Sequence, residues 1–450
     1  MQCHRVAPLL LSGLLLPWVP ACGDDGGEDA AGTSGAASSG GAEESSSGGN
    51  TPDTDTTTDG DTETDGGTDT GVEPDPTIAG CGDMAGLLEG AFWPAPGYCS
   101  AHPWQSPRPF PSQGTVGWTY NPGGDLEVVQ SPVVADDGSI YVTVKTDTTP
   151  VHLVKLDPDG QEVWSVTTTN TGYQGESGSP VLTAAGLIVF ANHEEVFAVD
   201  ANGQEAWTVP LDGQLANGHL SVGADGTVYA GAGDLVAIGS EGNVRWRGGE
   251  EGVYILATAV DADGSIYAFG DDELYDEGYL FKFNPDGSEE WRVPSFGDAG
   301  GPYVAPMVAS NGDVVVSIYG GTYVFDSDGT YNWGYPAMAG SFLEPASNTL
   351  LPDERIVVSA YHSAIGDYTT AVVNSGGVGQ GVEGCFQVVL SDPEGSLLCR
   401  ATEGGIRAVG PTSWHINTPT PEVVRAISGA AMGEETLYVA AGGVLVAIVE

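Results

Sequence analysis

From residue 115 onward, tight turns are followed at regular intervals by short runs of β-branched and aromatic residues. Asp-Gly and Asn-Gly pairs supply the positive φ angles that tight hairpin turns need, and Ile, Val and Tyr favour a pleated, buried surface. The pattern predicts repeated antiparallel hairpins. Its clearest copies are Asp137-Gly138-Ser139-Ile140-Tyr141, Asp225-Gly226-Thr227-Val228-Tyr229 and Asp263-Gly264-Ser265-Ile266-Tyr267.

A second motif has an acidic or amide residue, then Gly, three variable residues and Trp. Together with Trp118, its tryptophans recur at separations of 46, 43, 39, 45 and 42 residues, which is the period of a four-stranded propeller blade. A degenerate copy runs from Glu394-Gly395 to Cys399. The tryptophans of this register, interpreted as structural residues on the outer strands of blades, are Trp118, Trp164, Trp207, Trp246, Trp291 and Trp333.

Counting these motifs predicts an all-β fold, a seven-bladed β-propeller of four-stranded antiparallel blades over residues 115–450. The strand containing Trp118 is expected to complete the last blade and so remove free sheet edges. Three-strand sets are expected near residues 131–157, 179–200, 219–239, 258–284, 305–326, 343–391 and 426–448, with Cys399 on the outer strand of the sixth blade.

The N-terminal 77 residues differ in composition from the repeats. Residues 1–22 have Arg5 followed by a short apolar stretch, too short and too interrupted for a membrane span, which predicts a secretory signal. The segment Val19-Pro20-Ala21-Cys22 resembles the lipobox of bacterial lipoproteins, which implies acylation of Cys22. A soluble protein cleaved near Ala21 is the alternative. Residues 23–77, mostly Gly, Ser, Thr, Ala, Asp and Glu, are predicted to be a disordered acidic linker.

Four cysteines remain after the predicted signal and anchor: Cys81, Cys99, Cys385 and Cys399. An even number in an exported chain indicates two disulfides, and of the three possible connectivities proximity favours 81–99 and 385–399. Residues 78–114 are therefore interpreted as a disulfide-stapled cap on the propeller, with a ligand-contacting arm as the alternative.

The sequence of residues 131–164, from Ser131-Pro132-Val133-Val134 to Trp164, resembles the PQQ-binding-like β-propeller repeat. Quinoprotein alcohol dehydrogenases and BamB-type outer-membrane assembly lipoproteins share this repeat. The resemblance implies that the repeat tryptophans dock between neighbouring blades. It also implies localisation in the cell envelope, at the outer membrane or surface of a Gram-negative bacterium.

An enzyme is the alternative that the resemblance raises. Quinoprotein dehydrogenases carry adjacent disulfide-bonded cysteines, a calcium ligand set and eight blades. This chain has no adjacent cysteines, and seven blades are predicted. The acidic run Asp271–Glu273 with Asp276 and Glu277 is interpreted as a solvated loop, not as a metal site. Catalytic triads could be drawn from five histidines, all of which are interpreted as packing or surface residues: His152, His193, His219, His362 and His415.

The composition limits the partners. With 62 acidic and 12 basic residues among 450, the formal charge is −50, which excludes a nucleic-acid partner. We therefore expect a non-catalytic, monomeric binding or scaffolding module, anchored to the membrane by lipid, with an envelope protein or polymer as its partner. No catalytic, cofactor-binding or metal-binding residue is predicted. The alternatives are a PQQ-dependent dehydrogenase-like enzyme and a surface polysaccharide-binding protein.

Overall fold

The computed structural model describes most of the chain after residue 77. The predicted signal peptide, Cys22 and the linker lie outside the described residues. Within the described part, no helix has the length and apolar character needed to cross a bilayer. The described residues are 78, 80–123, 126–146, 150–168, 178–211, 215, 219–249, 252–272, 278–294, 304–318, 321–336, 343–362, 367–417 and 427–450.

The strands form eight antiparallel sheets, which we number as blades 1 to 8 along the chain. In blade 1 the first strand is split into two pieces, β2 and β3, that both pair with β4. Blade 1 comprises β2 (Leu126–Val129), β3 (Val133–Val134), β4 (Ile140–Thr146), β5 (His152–Leu156) and β6 (Glu162–Thr167); blade 2, β7 (Val181–Leu182), β8 (Ile188–Ala191), β9 (Glu195–Val199) and β10 (Glu205–Pro210); blade 3, β11 (Ser221–Val222), β12 (Val228–Ala232), β13 (Asp234–Ile238) and β14 (Val244–Gly248); blade 4, β15 (Val253–Val260), β16 (Ile266–Asp272), β17 (Gly278–Phe283) and β18 (Glu289–Pro294).

The remaining four blades follow the same order, with the first strand of the chain in the last blade. Blade 5 comprises β19 (Met307–Val308), β20 (Val314–Ile318), β21 (Gly321–Phe325) and β22 (Tyr331–Pro336); blade 6, β23 (Leu343–Leu350), β24 (Ile356–His362), β25 (Asp367–Val373) and β26 (Gly379–Gly381); blade 7, β27 (Cys385–Ser391), β28 (Leu397–Ala401), β29 (Ile406–Val409) and β30 (Trp414–Ile416); blade 8, β31 (Ile427–Met432), β32 (Leu437–Ala441), β33 (Val444–Val449) and β1 (Thr115–Tyr120).

Burial falls from the second strand of a blade to its outer strand. All five residues of β12 are buried, whereas the residues of β6 alternate between exposed and half-buried. Strands inside a blade are covered on both faces by the neighbouring blades, so both of their faces carry apolar residues. The outer strand lies at the rim, which explains why its sequence mixes charged residues with one large aromatic residue.

The ring closes through the two ends of the repeat region, as the sequence predicts. β1 pairs antiparallel with β33, from Thr115 opposite Val449 to Tyr120 opposite Leu445. The first repeat strand therefore supplies the outer strand of blade 8. This closure leaves no blade short of a strand.

The prediction of seven blades is wrong, because residues 343–391 hold the whole of blade 6 and the first strand of blade 7. The outer strand of blade 6 has Gly381 where a tryptophan is expected. Its preceding turn nevertheless keeps the usual geometry: the Gly377 N–H donates to the Asn374 carbonyl over 2.9 Å, as Gly160 does to Asp157 in blade 1. A count based on tryptophan therefore misses this strand.

The prediction that Cys399 lies on an outer strand is wrong too. Cys399 lies on β28, the second strand of blade 7, whose outer strand β30 begins instead at Trp414. With eight blades, the blade count no longer separates this chain from quinoprotein dehydrogenases.

Candidate functional site: a plugged channel

The first strands of the blades surround the centre of the ring, and those of blades 1 and 3 to 8 lie beside the first strand of a neighbouring blade. The inward edge of such a strand carries backbone N–H and C=O groups with no partner in its own sheet. The turns joining first to second strands and third to fourth strands lie together at one end of the ring. For example, the glycine of one such turn, Gly138, would contact Pro158 of the other if it carried a Cβ.

At that end, residues 80–111, which we call the plug, supply partners for the strand edges. In seven blades an N–H at the end of the first strand donates to the plug, and in blade 8 the Arg108 side chain donates to the Gly433 carbonyl over 3.1 Å. The channel is therefore closed at this end by the chain itself. The seven bonds are Val134 N to Trp93 O (2.8 Å), Leu182 N to Pro94 O (2.7 Å), Val222 N to Ser100 Oγ (2.7 Å), Val260 N to Ser100 O (2.8 Å), Val308 N to Ala101 O (2.9 Å), Leu350 N to Pro103 O (2.9 Å) and Ser391 N to Trp104 O (3.1 Å).

The early part of the plug also covers the first-to-second-strand turns of several blades. Four glycines make close approaches there, because a Cβ on each would touch the turn beneath it: Gly80 on Ser310 of blade 5, Gly82 on Ala262 of blade 4, Gly86 on Gly223 of blade 3 and Gly90 on Asp136 of blade 1.

Apolar packing and one disulfide stabilise the plug. Trp93 is fully buried and packs edge-on against Tyr98, with ring centroids 5.4 Å apart. Cys81 is joined to Cys99, one of the two pairings that proximity favours. The disulfide therefore ties the part of the plug that lies over the turns to the part that fills the channel.

The polar centre of the plug is His102, which is 1% exposed. Its Nδ1 lies 2.9 Å from the Pro96 carbonyl, and its Nε2 lies 3.2 Å from the Thr258 carbonyl on β15. The same Nε2 lies 3.2 Å from Ser221 Oγ on β11, and the Ser221 hydroxyl donates to the Thr258 carbonyl over 2.9 Å. Burial lowers the pKa of His102, which favours the neutral ring.

A second histidine, His219, lies beside this centre. Its ring centroid is 6.0 Å from that of His102 and 6.2 Å from that of Trp104. Burial, with a smaller contribution from His102, lowers the pKa of His219 to about 3. Both imidazoles are therefore neutral at pH 7, and the plug holds no charge at its centre.

Sequence reasoning considered His219 but missed His102. The signal available was the position of His102 between Cys99 and Trp104 in a segment already interpreted as a cap. Nothing in the sequence indicated that Ser221 is the partner of His102, because Ser221 lies 119 residues further along the chain.

The other histidines and acidic residues considered for catalysis or metal binding do not form a common site among the described residues. His415 lies 3.6 Å from Glu403 at the surface of blade 7, and His152 begins β5 in blade 1. Asp271 is buried in β16, whereas the Asp272 side chain and residues 273–277 lie outside the described residues, as does the His362 side chain. Among the residues that the structure describes, no group of three His, Cys, Asp or Glu side chains is arranged to hold a metal ion.

The outer-strand tryptophans lie between neighbouring blades. Five of them pack on the glycine of the next blade's third-to-fourth-strand turn and donate from Nε1 to a carbonyl of that turn. Trp333 packs near Gly377 of blade 6. Trp414, which the sequence count missed, donates to the Pro111 carbonyl of the plug over 2.8 Å. The five bonds are Trp118 to Pro158 (3.0 Å), Trp164 to Ala201 (3.1 Å), Trp207 to Ser240 (3.0 Å), Trp246 to Pro285 (3.0 Å) and Trp291 to Ser327 (3.1 Å).

The second disulfide joins Cys385 on β27 to Cys399 on β28 within blade 7. Both cysteines are buried, in an apolar cluster that also contains Leu351 and Val357 of blade 6. This disulfide therefore lies at the junction between blades 6 and 7.

Comparison with known proteins agrees with this architecture. Residues 192–269 match the family model described as outer membrane protein assembly factor BamB. No curated protein is significantly similar to the chain in sequence.

Among solved structures, BamB from Moraxella catarrhalis is similar with a TM-score of 0.51 and 14% identity, covering 75% of this chain and 100% of that one. The Dos1 propeller has a TM-score of 0.51 and 10% identity, covering 75% and 95%. A catalytically inactive virginiamycin B lyase from Staphylococcus aureus, with quinupristin, has a TM-score of 0.50 and 10% identity, covering 74% and 98%. At these identities the likeness shows the fold alone, and it spans both a lyase and an assembly factor. The chain is thus an eight-bladed β-propeller whose residues 192–269 carry the repeat of the BamB family model.

Proposed function

We propose that the protein is a non-catalytic binding or scaffolding module of the cell envelope, anchored by lipid at Cys22. One observation carries the non-catalytic part: the Ser–His pair at the ring centre is buried and holds the plug. Ser221 has no exposed surface, and the second ring nitrogen of its neighbour His102 is bonded to the Pro96 carbonyl. A nucleophile and base for catalysis must instead reach a substrate.

The BamB match supports a role in protein assembly at the outer membrane. The solved relative from Moraxella catarrhalis is covered along its whole length, so the likeness includes the complete ring. Propellers in general present wide faces and a rim, surfaces suited to binding an extended partner. We infer an envelope protein as the partner, with an envelope polymer as the second candidate.

The plug also determines where a lipid-anchored linker would join the folded head. Ile78 is buried, and Gly80 lies against Ser310 at the plugged end of the ring. The chain preceding residue 78 therefore joins the head at this end. We infer that a linker acylated at Cys22 connects the plugged end to the membrane.

Membrane fractionation of a Gram-negative host tests the anchor. We expect the Cys22→Ala chain to leave the membrane fraction, and mass spectrometry of the parent chain to show an acylated Cys22. Cys3→Ala is the matched control, because Cys3 lies within the predicted signal, and it should fractionate like the parent. An unmodified Cys22, or unchanged membrane partition of the Cys22→Ala chain, would contradict the anchor.

Two assays on the same membranes test the binding role. Cross-linking followed by purification should recover a specific envelope protein with the parent chain, at a ratio that a competing excess of unlabelled chain reduces. Dye reduction with pyrroloquinoline quinone and Ca²⁺ should give no turnover above that of the heat-denatured chain. Quinone-dependent turnover by the purified native chain would overturn the non-catalytic proposal.

A further inference from the structure

One junction of the ring lacks the tryptophan found at the others. Seven of the eight outer strands carry a tryptophan, whereas β26 of blade 6 reads Gly379-Gln380-Gly381. The turn of blade 7 that faces this position contains Gly410, which lies close to Ser396 and Gly395 of its own blade rather than to an indole. The contact between blades 6 and 7 is therefore built differently from the rest.

A groove of about 240 Å³ lies at the same junction, between the first-to-second-strand turns of the two blades. This volume would hold about eight water molecules, or one large side chain. Blade 6 contributes Leu351, which is 4% exposed, and Pro352, and blade 7 contributes Pro393 and Gly395. The lining thus offers an apolar base and one proline from each turn.

The charges around the groove are unevenly compensated. Arg355 is held by Asp353, with Nε 2.8 Å and 3.0 Å from the two carboxylate oxygens. Glu394, on the opposite turn, has no ion-pair partner among the described residues, and its side chain is exposed. The groove therefore presents one uncompensated carboxylate beside apolar surface, on a chain with a formal charge of −50.

We propose that this groove binds one cationic side chain, arginine or lysine, presented by a segment of a partner protein. The aliphatic part of such a side chain would lie against Leu351, Pro352 and Pro393, and its charged group would reach Glu394. Lysine and arginine combine an apolar stem with a terminal charge, so they match both features of the groove. The negative field of the chain would also steer a basic partner toward it. The inference rests on the proposed binding role and adds the chemistry of the partner.

Methyl NMR on the full chain in detergent tests the proposal, with Leu351 as the reporter. The probes are acetylated, amidated Gly-X-Gly peptides in which X is Arg, Lys, norleucine or Glu. We expect saturable shifts of the Leu351 methyl signals with the Arg and Lys peptides. Norleucine should bind at least threefold more weakly, and Glu should not bind. Raising the NaCl concentration should weaken the Arg and Lys interactions, since exposed charges are screened.

Glu394→Gln is the decisive variant, and Glu435→Gln is its matched control. Both remove one exposed charge from a first-to-second-strand turn, but Glu435 lies on blade 8, away from the groove. We expect the first to weaken Arg-peptide binding about tenfold and the second to leave it unchanged.

Equal weakening by the two variants would overturn the site in favour of general charge attraction. Unmoved Leu351 signals would overturn it as well, and so would equal binding of norleucine and Arg, which would leave only an apolar contact. Photo-cross-linking from position 393 that reaches residues 1–77 of the same chain would assign the groove to that segment instead. None of these outcomes affects the fractionation test, so failure of the groove and failure of the anchor are distinguishable.

Discussion

Substituting Gly242 by alanine should test whether the tryptophans join the blades. Gly242 has a φ of +80°, and a Cβ there would lie 2.6 Å from Cγ of Trp207 in the preceding blade. Ordinary carbon contacts are about 3.5–4.0 Å, so the indole must move by about 1 Å or leave its position. Gly226, in the same blade, has a φ of +76°, and a Cβ there would meet nothing within 4 Å, so Gly226→Ala carries the backbone strain alone.

The expected magnitudes follow from these contacts. A left-handed backbone costs alanine about 1–2 kcal/mol at either position. Displacing Trp207 additionally removes the 3.0 Å hydrogen bond from Nε1 to the Ser240 carbonyl, worth about 1 kcal/mol, and part of the packing of a half-buried ring. We therefore expect Gly242→Ala to lower the free energy of unfolding by about 2 kcal/mol more than Gly226→Ala.

Urea denaturation followed by circular dichroism measures both values, provided that the slopes agree between variants. In the double variant Gly242→Ala with Trp207→Gly, both the ring and the Trp207 Cβ that would lie 2.7 Å from the new methyl group are removed. The clash is then absent, so the two effects should be coupled by about 2 kcal/mol. Equal destabilisation by Gly242→Ala and Gly226→Ala, within about 0.5 kcal/mol, or additive effects in the double variant, would refute the proposed role of the tryptophan.

Three further predictions concern the plug and blade 7. Trp414→Phe removes the hydrogen bond to the Pro111 carbonyl and should lower the free energy of unfolding in urea by about 1 kcal/mol, with faster amide exchange around Pro111. Trp333→Phe is the control, since the Trp333 indole donates to no described residue. Replacing Cys385 and Cys399 together by serine opens a loop with a sequence separation of 14 and should lower stability by about 3 kcal/mol, whereas an unchanged denaturation midpoint would contradict a stabilising disulfide. Because burial lowers the pKa of His219 from 6.5 to about 3, unfolding takes up a proton between these values. The stability is therefore complete above pH 6.5 and is lost as the pH falls toward 3, by at most about 1.4 kcal/mol per pH unit for this histidine. His219→Gln should flatten that slope, and an unchanged slope in this variant would contradict the burial of a neutral His219.

Local structure was predictable because its determinants are close in sequence. Gly160 has a positive φ and Trp164 follows four residues later, so turn and outer strand form one short motif. The same holds for the disulfide between Cys81 and Cys99, since neighbouring cysteines are those that a short loop brings together. The closure of the ring by β1 also followed from the sequence, because a strand without a hairpin partner at one end of the repeats must pair with the other end.

The blade count failed where the local motif is absent. Blade 6 keeps the turn at Asn374 but has Gly381 in place of tryptophan, and blade 7 keeps Trp414 without an acidic residue and glycine pair before it. A blade is defined by backbone pairing among its own strands, which tolerates such replacements, so the number of blades is a property of the assembled sheets.

The all-β class, the repeat, the pairing of the ring's ends and the acidic character of the chain could all be read from the amino-acid sequence. The number of blades, the closure of the channel by residues 80–111 and the contact between His102 and Ser221 became visible in the folded chain. The physical reason is distance along the chain. Hairpins and turns are encoded by neighbours, whereas the plug binds through backbone groups of seven strands, and backbone groups are the same whatever the side chain.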